Sequence, residues 1–375
     1  MRPLLTLITL VSFALVCTAS FAAAQTLSPP LRTDRARIRV VEIADVDQPN
    51  TRLKVLRTDA NTPLRAGTAW LWSEPPTEPP DSYYADLRKA GLNAVRLILF
   101  DVWIHEEGYR KYDWDNPEYR QAMLKRIEHA VNLCSKNGLY AIVNAHNRVP
   151  GPAPKYDEKL NNGLWRAVAP FFANRTHVIY ELANEPLAGP GHDGALDPAA
   201  TGTLEALVRV HATARTLAPA THLMILSPAG VSGWGTLTAM GNLTRFFQKL
   251  AGPIDWSKTS VAYHLYHADP NLFPKAENLR ALHRDFPGWP SENNFPAGYT
   301  AEKLGLKAGD SERSVSFGSD EFVLQTCERL GFGWSQWQVN GPEQFRRNWP
   351  LLWADAEAKG YAWKPDPAPS PRRSP

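Results

Sequence analysis

A glutamate that follows a short apolar strand is the most informative feature of this sequence. Residues 178–183 are rich in apolar, β-branched and aromatic side chains, which is typical of a buried strand. Asn184 and Glu185 follow, and Pro186 then blocks further ladder pairing because it has no N–H to donate. A carboxyl group at the C-terminal end of a strand can act as a general acid or base. A loop-capping role for Glu185 is the alternative, since such short motifs also occur by chance.

Four further strand-like segments carry polar or aromatic side chains near their C-terminal ends. Arg96 lies in the apolar segment 94–100, where a buried guanidinium is costly unless a carboxylate pairs with it. The other three segments contribute His146, His264, Tyr266 and Trp337. Each residue alone has a structural explanation, such as an internal ion pair or core packing. Five strands with similar endings are difficult to assign to packing, so the pattern predicts one shared site.

The elements that must position these groups alternate between short strands and longer helices. The predicted strands cover residues 67–72, 94–100, 140–145, 178–183, 223–227, 261–265, 287–291 and 333–337. Between them lie helical patterns such as residues 117–137, where apolar side chains recur every 3.6 residues on average. Eight strands alternating with helices predict an α/β fold, the (β/α)8 TIM barrel. A doubly wound sheet is the alternative, but no glycine-rich phosphate motif follows the first strand.

The segments outside the predicted barrel differ from it in composition. Residues 1–24 combine a basic residue, an apolar stretch and three alanines, which is the layout of a secretory signal peptide cleaved near Ala24. Residues 25–62 contain two alternating segments that predict a short N-terminal β-hairpin. The catalytic barrel would take residues 63–362, and the proline-rich residues 363–375 predict a disordered tail. We therefore expect a secreted protein, either extracellular or periplasmic.

Charge and cysteine content argue against several classes of partner. Removal of residues 1–24 takes one of the 41 basic side chains and leaves 40 against 38 acidic ones. Because these numbers are nearly equal, the net charge gives no reason to expect binding to nucleic acid or stable association with a membrane. We also expect a monomer. Cys134 and Cys327 remain after cleavage, each in a helical pattern where a buried thiol is expected.

In their order along the chain, the strand-end residues resemble the active site of glycoside hydrolase family 5, the cellulase-like retaining glycosidases of clan A. That family uses an Arg, a His, an Asn-Glu pair, a His-x-Tyr, a second Glu and a Trp. The matching residues are Arg96, His146, Asn184, Glu185, His264, Tyr266 and Trp337. The resemblance implies hydrolysis of a β-linked polysaccharide or oligosaccharide, as in cellulases, β-glucanases and mannanases. It implies two carboxyl groups about 5–5.5 Å apart, and no metal or organic cofactor.

Two residues compete for the role of the second carboxylate, the nucleophile. Passing from one barrel strand end to the next takes roughly 30 residues. Glu321 lies only 16 residues before Trp337, whereas Glu292 lies 45 residues before it. Glu321 also fits the first turn of a helix that begins at a serine cap. The family's seventh strand carries Ser or Gly before its Glu; Ser291 matches this, although the two asparagines that follow Glu292 depart from the usual continuation. Glu292 is therefore the predicted nucleophile, and Glu321 is the alternative.

The resemblance also implies a role for each remaining residue. The catalytic residues would be Glu185, as general acid and base, and Glu292. The substrate-binding residues would be Arg96, His146, Asn184, His264, Tyr266 and Trp337. Asn184 would hold the 2-hydroxyl of the reacting sugar, and His146 would donate to other hydroxyls.

Two other functions stay open at this point. One is a metal-dependent hydrolase with His146, His264 and His267 as ligands, although the sequence has no His-Glu-x-x-His motif. The other is a non-catalytic carbohydrate-binding protein on a degenerate barrel, because a fold does not determine a function.

Overall fold

A computed structural model of the chain describes eight segments. They are residues 27–72, 78–100, 113–146, 156–186, 198–227, 234–265, 276–293 and 323–335. The predicted signal peptide, the proline-rich tail, Tyr266, His267, Glu321 and Trp337 lie outside the described residues.

The described segments form one ten-stranded sheet and seven helices. The strands are β1 (Arg39–Ala44), β2 (Arg52–Arg57), β3 (Arg65–Trp72), β4 (Ala94–Phe100), β5 (Tyr140–Ala145), β6 (Val178–Glu181), β7 (His222–Leu226), β8 (Thr259–Leu265), β9 (Gly288–Asn293) and β10 (Trp334–Ser335). The helices are α1 (Ser82–Lys89), α2 (Pro117–Lys136), α3 (Glu158–Phe171), α4 (Pro198–Leu217), α5 (Trp234–Ala251), α6 (Ala276–Asp285) and α7 (Val323–Leu330). Over these segments, every helix is too short or too polar to cross a membrane.

The sheet has the topology of a (β/α)8 barrel, which confirms the predicted fold. Strands β3 to β9 pair in chain order and in parallel, and β10 returns to pair in parallel with β3. The carbonyl of Leu64 accepts from the backbone N–H of Trp334 at 2.8 Å and from the indole N–H of Trp289 at 3.0 Å. These bonds bring the first, seventh and eighth barrel strands together. The hairpin of β1 and β2 is antiparallel, as the sequence predicts.

Residues at both ends of helix α2 explain where the helix begins and ends. The side chain of Asn116 accepts from the backbone N–H groups of Glu118 and Tyr119, at 2.9 and 3.3 Å. Pro117 occupies the first helical position, where a missing N–H costs nothing. Gly138 ends the helix with a φ of 67°, a conformation that glycine adopts without steric cost. The buried face of the helix then packs on β4 and β5.

The N-terminal segment is tied to the barrel by a buried ion network, defined here as the Asp34 cluster. The guanidinium of Arg175 donates to both oxygens of Asp34, at 2.8 and 3.0 Å, and to the side chains of Ser28 and Asn132. Ser135 donates to Asp34 at 2.6 Å. Both Arg175 and Asp34 are fully buried. The cluster therefore links the residues that precede the hairpin to α2 and to the loop before β6.

Strand ends agree with the sequence where turn signals are clear. Strands β4 and β5 have the predicted bounds, whereas β6 ends at Glu181, two residues earlier than expected. Strand β9 runs from 288 to 293 rather than from 287 to 291, and its register with β8 shifts between Tyr263 and His264. This irregularity places Glu292 opposite His264.

Candidate active site

A single buried guanidinium lies at the centre of the polar strand ends. Arg96 on β4 donates through Nε and Nη2 to the two oxygens of Glu181, at 2.5 and 3.0 Å. Its Nη1 donates to Oε1 of Glu292 at 2.5 Å, and Nη2 also donates to Oδ1 of Asn184 at 2.7 Å. Burial alone would lower the pKa of Arg96, but the charges of Glu181 and Glu292 outweigh it and raise the pKa. Arg96 is therefore a fixed cation that orients three acceptors.

Two glutamates approach each other beside this guanidinium. One carboxylate oxygen of Glu185, one of Glu292 and one ring nitrogen of His264 all lie within 4.8 Å of one another. Nδ1 of His264 is 3.1 Å from Oε1 of Glu185 and 3.3 Å from Oε2 of Glu292. The side chain of Glu185 is 18% exposed and that of Glu292 is 4% exposed. The less exposed carboxylate is thus the one bonded to Arg96.

The histidine between the carboxyl groups responds to both of them. Burial alone would lower the pKa of His264, but the charge of Glu292 and the hydrogen bond with Glu185 raise it above its ordinary value. A proton at Nδ1 of His264 then faces both carboxylates. The site therefore has a third group, besides the glutamates, that can hold a proton near neutral pH.

A directed chain of hydrogen bonds fixes the orientation of Asn184. Arg96 only donates, so Oδ1 of Asn184 accepts from it and Nδ2 is left to donate to Nε2 of His146, at 3.1 Å. His146 then carries its proton on Nδ1, which donates to Oδ1 of Asn144 at 2.8 Å. Both ring nitrogens of His146 are therefore engaged by protein atoms. The role of His146 as a donor to sugar hydroxyls stays a prediction.

The backbone at the ends of β6 and β7 is strained. Glu185 has a φ of 44°, and Leu226 and Ser227 have φ values of 80° and 40°. Non-glycine residues in this left-handed region cost about 1–3 kcal/mol each and concentrate at functional sites. The two turns support each other, because the backbone N–H of Glu185 donates to the carbonyl of Ser227 at 2.7 Å. The strain is the local reason why Glu185 projects toward Glu292 and His264.

Comparison with known families decides the assignment. The sequence model of the family described as "Cellulase (glycosyl hydrolase family 5)" matches residues 51–343, more than half of the chain. The chain belongs to glycoside hydrolase family 5.

Curated relatives of this family 5 chain are distant. Endoglucanase E-5 of Thermobifida fusca is 24% identical over 250 residues, which cover 67% of this chain and 46% of the relative. An endoglucanase of Halalkalibacter akibai is 32% identical over 94 residues, which cover 25% of this chain and 10% of the relative. The chain therefore spans less than half the length of these relatives.

Solved structures show the same fold. A GH5 cellulase from an Icelandic hot spring isolate aligns with a TM-score of 0.54 at 17% identity, over 88% of this chain and 96% of that one. A beta-glucanase from Saccharophagus degradans, in complex with cellotetraose, aligns with a TM-score of 0.56 at 14% identity, over 88% of this chain and 98% of that one. At these identities the likeness establishes the barrel and nothing finer.

The structure brings together most of the predicted site residues. Those that lie in one connected group are Arg96, His146, Asn184, Glu185, His264 and Glu292. Three other predicted residues lie outside the described part of the chain: Tyr266, Trp337 and the alternative nucleophile Glu321. The roles of all these residues stay predictions.

Sequence analysis missed three members of the group, namely Glu181, Ser227 and Asn144. Glu181 is fully buried, and its Oε1 accepts from the hydroxyl of Ser227 at 2.8 Å. A signal for it was present, because a buried arginine requires a carboxylate and Glu181 is the acidic residue inside the apolar run 178–183. Asn144 is an equally polar residue inside the fully buried strand β5.

The spacing of Glu185, His264 and Glu292 would also suit a metal ion. However, Oε1 of Glu292 already bonds the guanidinium of Arg96, whose positive charge opposes a second cation on that carboxylate. The other proposed ligand, His146, has both nitrogens engaged. These contacts favour acid–base chemistry over a metal-dependent hydrolase.

Proposed function

We propose that this chain is a retaining endo-acting β-glucanase with Glu292 as nucleophile and Glu185 as general acid and base. The observation that carries the proposal is the pair of carboxylates within 4.8 Å, one bonded to Arg96 and the other more exposed. This upper limit on the distance between their nearest oxygens lies below the about 6.5–9.5 Å of inverting glycosidases and is consistent with the about 5–5.5 Å of retaining ones.

In the first step, a carboxylate oxygen of Glu292 attacks the anomeric carbon of the sugar. The glycosidic C–O bond breaks, and the leaving oxygen takes the proton of Glu185. Arg96 aligns Glu292 for attack through the 2.5 Å hydrogen bond. The acid role suits Glu185 because it is the carboxyl group that reaches partly exposed space.

In the second step, a water molecule replaces Glu292 at the anomeric carbon. The ionised Glu185 accepts a proton from the water, the bond from the sugar to Glu292 breaks, and the configuration is retained overall. His264 contacts both carboxyl groups, so its position couples the two steps. Asn184, held by Arg96 and His146, would bind the 2-hydroxyl in the transition state.

The substrate assignment rests on the relatives. Two curated relatives are named endoglucanases, and one structural relative was solved with cellotetraose. A β-glucan cut internally is therefore the substrate class that we propose. Selectivity among β-glycans is a property of the loops at the barrel's C-terminal face.

The experiment compares wild type with two matched variants on a panel of β-glycans. Glu292→Gln is expected to lower kcat by about ten-thousandfold, a loss typical of a covalent nucleophile. Glu321→Gln, which removes the alternative nucleophile, is expected to retain the wild-type rate. Reducing-sugar release and the fall in viscosity of the polymer together report rate and internal cleavage. Loss of activity only in Glu321→Gln would contradict the nucleophile, and an inert wild type would favour a carbohydrate-binding protein.

Azide distinguishes the two glutamates chemically. In Glu185→Ala the glycosyl-enzyme should accumulate, because water lacks its general base. Azide needs no base, so it should restore turnover of an aryl β-glucoside and yield the β-glycosyl azide. Formation of an α-azide would instead indicate that Glu185 is the nucleophile.

We also propose that the protein is exported and that residues 1–24 are removed. The support is the layout of basic, apolar and alanine residues in that segment. Intact mass of the protein recovered outside the cytoplasm should correspond to a chain that begins at Gln25. A mass that includes the first 24 residues would contradict cleavage.

A further inference from the structure

Glu181 is a fully buried carboxylate that the proposed reaction does not use. It lies on β6, four residues before Glu185, and its exposed fraction is 0%. Both of its oxygens bond Arg96, and Oε1 also accepts from Ser227. It therefore satisfies two of the three donating nitrogens of the same guanidinium that bonds Glu292.

Through Arg96, Glu181 can affect both the orientation and the charge environment of Glu292. A planar guanidinium held at Nε and Nη2 by one carboxylate has its remaining edge fixed in direction. That edge carries Nη1, which bonds Glu292, while Nη2 also reaches Asn184. The negative charge of Glu181 also cancels part of the positive charge that Arg96 presents to Glu292.

We propose that Glu181 is a positioning residue, which aims Arg96 at Glu292 and Asn184 and sets the pH range in which the catalytic pair works. The inference rests on the proposed function of that pair. It assigns to Glu181 no contact with substrate and no proton transfer.

Other titratable groups near Glu181 must be taken into account. Among the described residues of the strands around it, the charged or titratable groups are Arg96 on β4, His146 after β5, Glu185 after β6, His222 on β7, His264 on β8 and Glu292 on β9. His222 lies opposite Ile179, two residues earlier on β6, and burial lowers its pKa to about 3, so it is neutral in the working range. His146 is bonded at both nitrogens and is neutral in this arrangement. Among the described residues, the remaining ionisable groups of the site are therefore Glu185, His264 and Glu292.

The test is the pH dependence of kcat/KM in Glu181→Gln. Loss of one buried negative charge leaves the charge of Arg96 uncancelled, which favours the deprotonated forms of neighbouring acids. Both limbs of the pH profile should therefore move to lower pH by about one unit, given an effective dielectric constant of about 20. We also expect kcat to fall by about a hundredfold because Arg96 is less well oriented, with KM little changed. The position of the limbs does not depend on how much of the protein is folded.

Two further variants separate charge from structure. Glu181→Asp keeps the charge with a shorter reach, so its pH limbs should stay at wild-type values while kcat falls by about tenfold. Glu328→Gln is the matched control, because both oxygens of Glu328 also accept from one arginine, from Nε and Nη2 of Arg65 at 2.7 and 2.9 Å. Arg65 begins β3, at the opposite end of the barrel strands from the site, so Glu328→Gln should leave the pH limbs and kcat unchanged.

Each outcome bears on the inference. Wild-type pH limbs in Glu181→Gln, or an equal shift in Glu328→Gln, would overturn it. If Glu181→Gln does not fold, Ser227→Ala takes its place, since it removes the 2.8 Å hydrogen bond to Glu181. Lower kcat with unchanged KM would then support the inference, and wild-type kinetics would overturn it. An inert wild type would count against the proposed function instead.

Discussion

Two buried arginines in this molecule have similar partners and different consequences. In the Asp34 cluster, Arg175 faces one carboxylate, and its remaining donors reach Ser28 and Asn132. At the strand ends, Arg96 faces two carboxylates and an amide, and Glu185 lies nearby. Both guanidinium groups are fully buried.

The difference lies in the balance of charge. Arg175 faces a single carboxylate in the Asp34 cluster, so the charges of this ion pair cancel and the pair holds the chain together. Among the described residues of the site, Arg96 bonds Glu181 and Glu292 while Glu185 lies close to Glu292, so three carboxyl groups surround one arginine, and a proton on His264 offsets part of the excess negative charge. A protein can thus use the same ion pair for stability or for acid–base chemistry, and the number of unmatched carboxylates decides which.

Exchange of each arginine for lysine should separate the two roles most strongly. Lysine keeps the charge but cannot bridge several acceptors with a planar fork. Arg96→Lys should therefore lower kcat by about a hundredfold to a thousandfold, because Glu292 and Asn184 lose their common partner. Arg175→Lys should lower the thermal midpoint of unfolding and leave kcat unchanged. Equal kinetic losses in both variants would break the comparison.

Removal of the carboxylate in the structural cluster should cost stability but not activity. Asp34→Asn leaves the buried charge of Arg175 without its counter-charge, and we expect a loss of about 3 kcal/mol in the free energy of unfolding at pH 7. Burial alone would raise the pKa of Asp34, but hydrogen bonds from His177, Arg175 and Ser135 lower it well below its ordinary value. The contribution of Asp34 is therefore present above about pH 4 and is lost as the pH falls below that value.

Urea denaturation of Asp34→Asn and of wild type, at pH 7 and in acid, checks this direction of the pH dependence of stability. The difference between the two proteins should shrink as the pH falls. A constant difference would show that Asp34 is not ionised in the folded state at pH 7.

His264 should give the opposite dependence on pH, with a smaller effect. Its pKa is raised in the folded protein, because Glu292 and Glu185 outweigh the cost of burial. Its contribution to stability is therefore fully present below its ordinary pKa of 6.5 and is lost as the pH rises through the folded value. Relative to His264→Asn, wild type should lose stability as the pH rises above about 6.5. A wild type that gains stability over this range would contradict the location of the proton.

An exposed pair should show the smallest effect. Arg209 donates to both oxygens of Glu158 at 2.7 Å, with side chains that are 56% and 32% exposed. Solvent screens such a pair, so Glu158→Gln should change the free energy of unfolding far less than Asp34→Asn does. Thermal melts of this variant beside Asp34→Asn would show that burial, rather than bidentate geometry, sets the cost. A loss equal to that of Asp34→Asn would contradict this.

Much of the fold could be predicted because its strands are fully buried and bounded by turn residues. Strands β4 and β5 are apolar runs interrupted only by Arg96 and Asn144, they follow Gly91 and Gly138, and their ends agree with the prediction to the residue. Strand β9 was harder, because its sequence Gly-Trp-Pro-Ser-Glu-Asn carries few strand formers. Its pairing with β8 depends on a register shift, which no local pattern encodes.

The order of residues along the chain was enough to predict some members of the candidate site. Members that are defined only by their partner in space could not be predicted. Glu292 was chosen over Glu321 from chain length, and the structure places Glu292 against Arg96. Glu181 was missed because a glutamate within a strand can point either way, and only the barrel shows that it faces Arg96. The strained φ of Glu185 depends on the neighbouring turn at Ser227 and has no signal in the sequence.

The most direct test of the account is to identify the residue that carries the covalent glycosyl intermediate. A 2-deoxy-2-fluoro β-glycoside with an activated leaving group should be turned over once and then trap the enzyme, because the fluorine slows the second step. Peptide mass spectrometry of the trapped protein should place the sugar on Glu292. A sugar on Glu321, or a first product of inverted configuration with no adduct, would contradict the account.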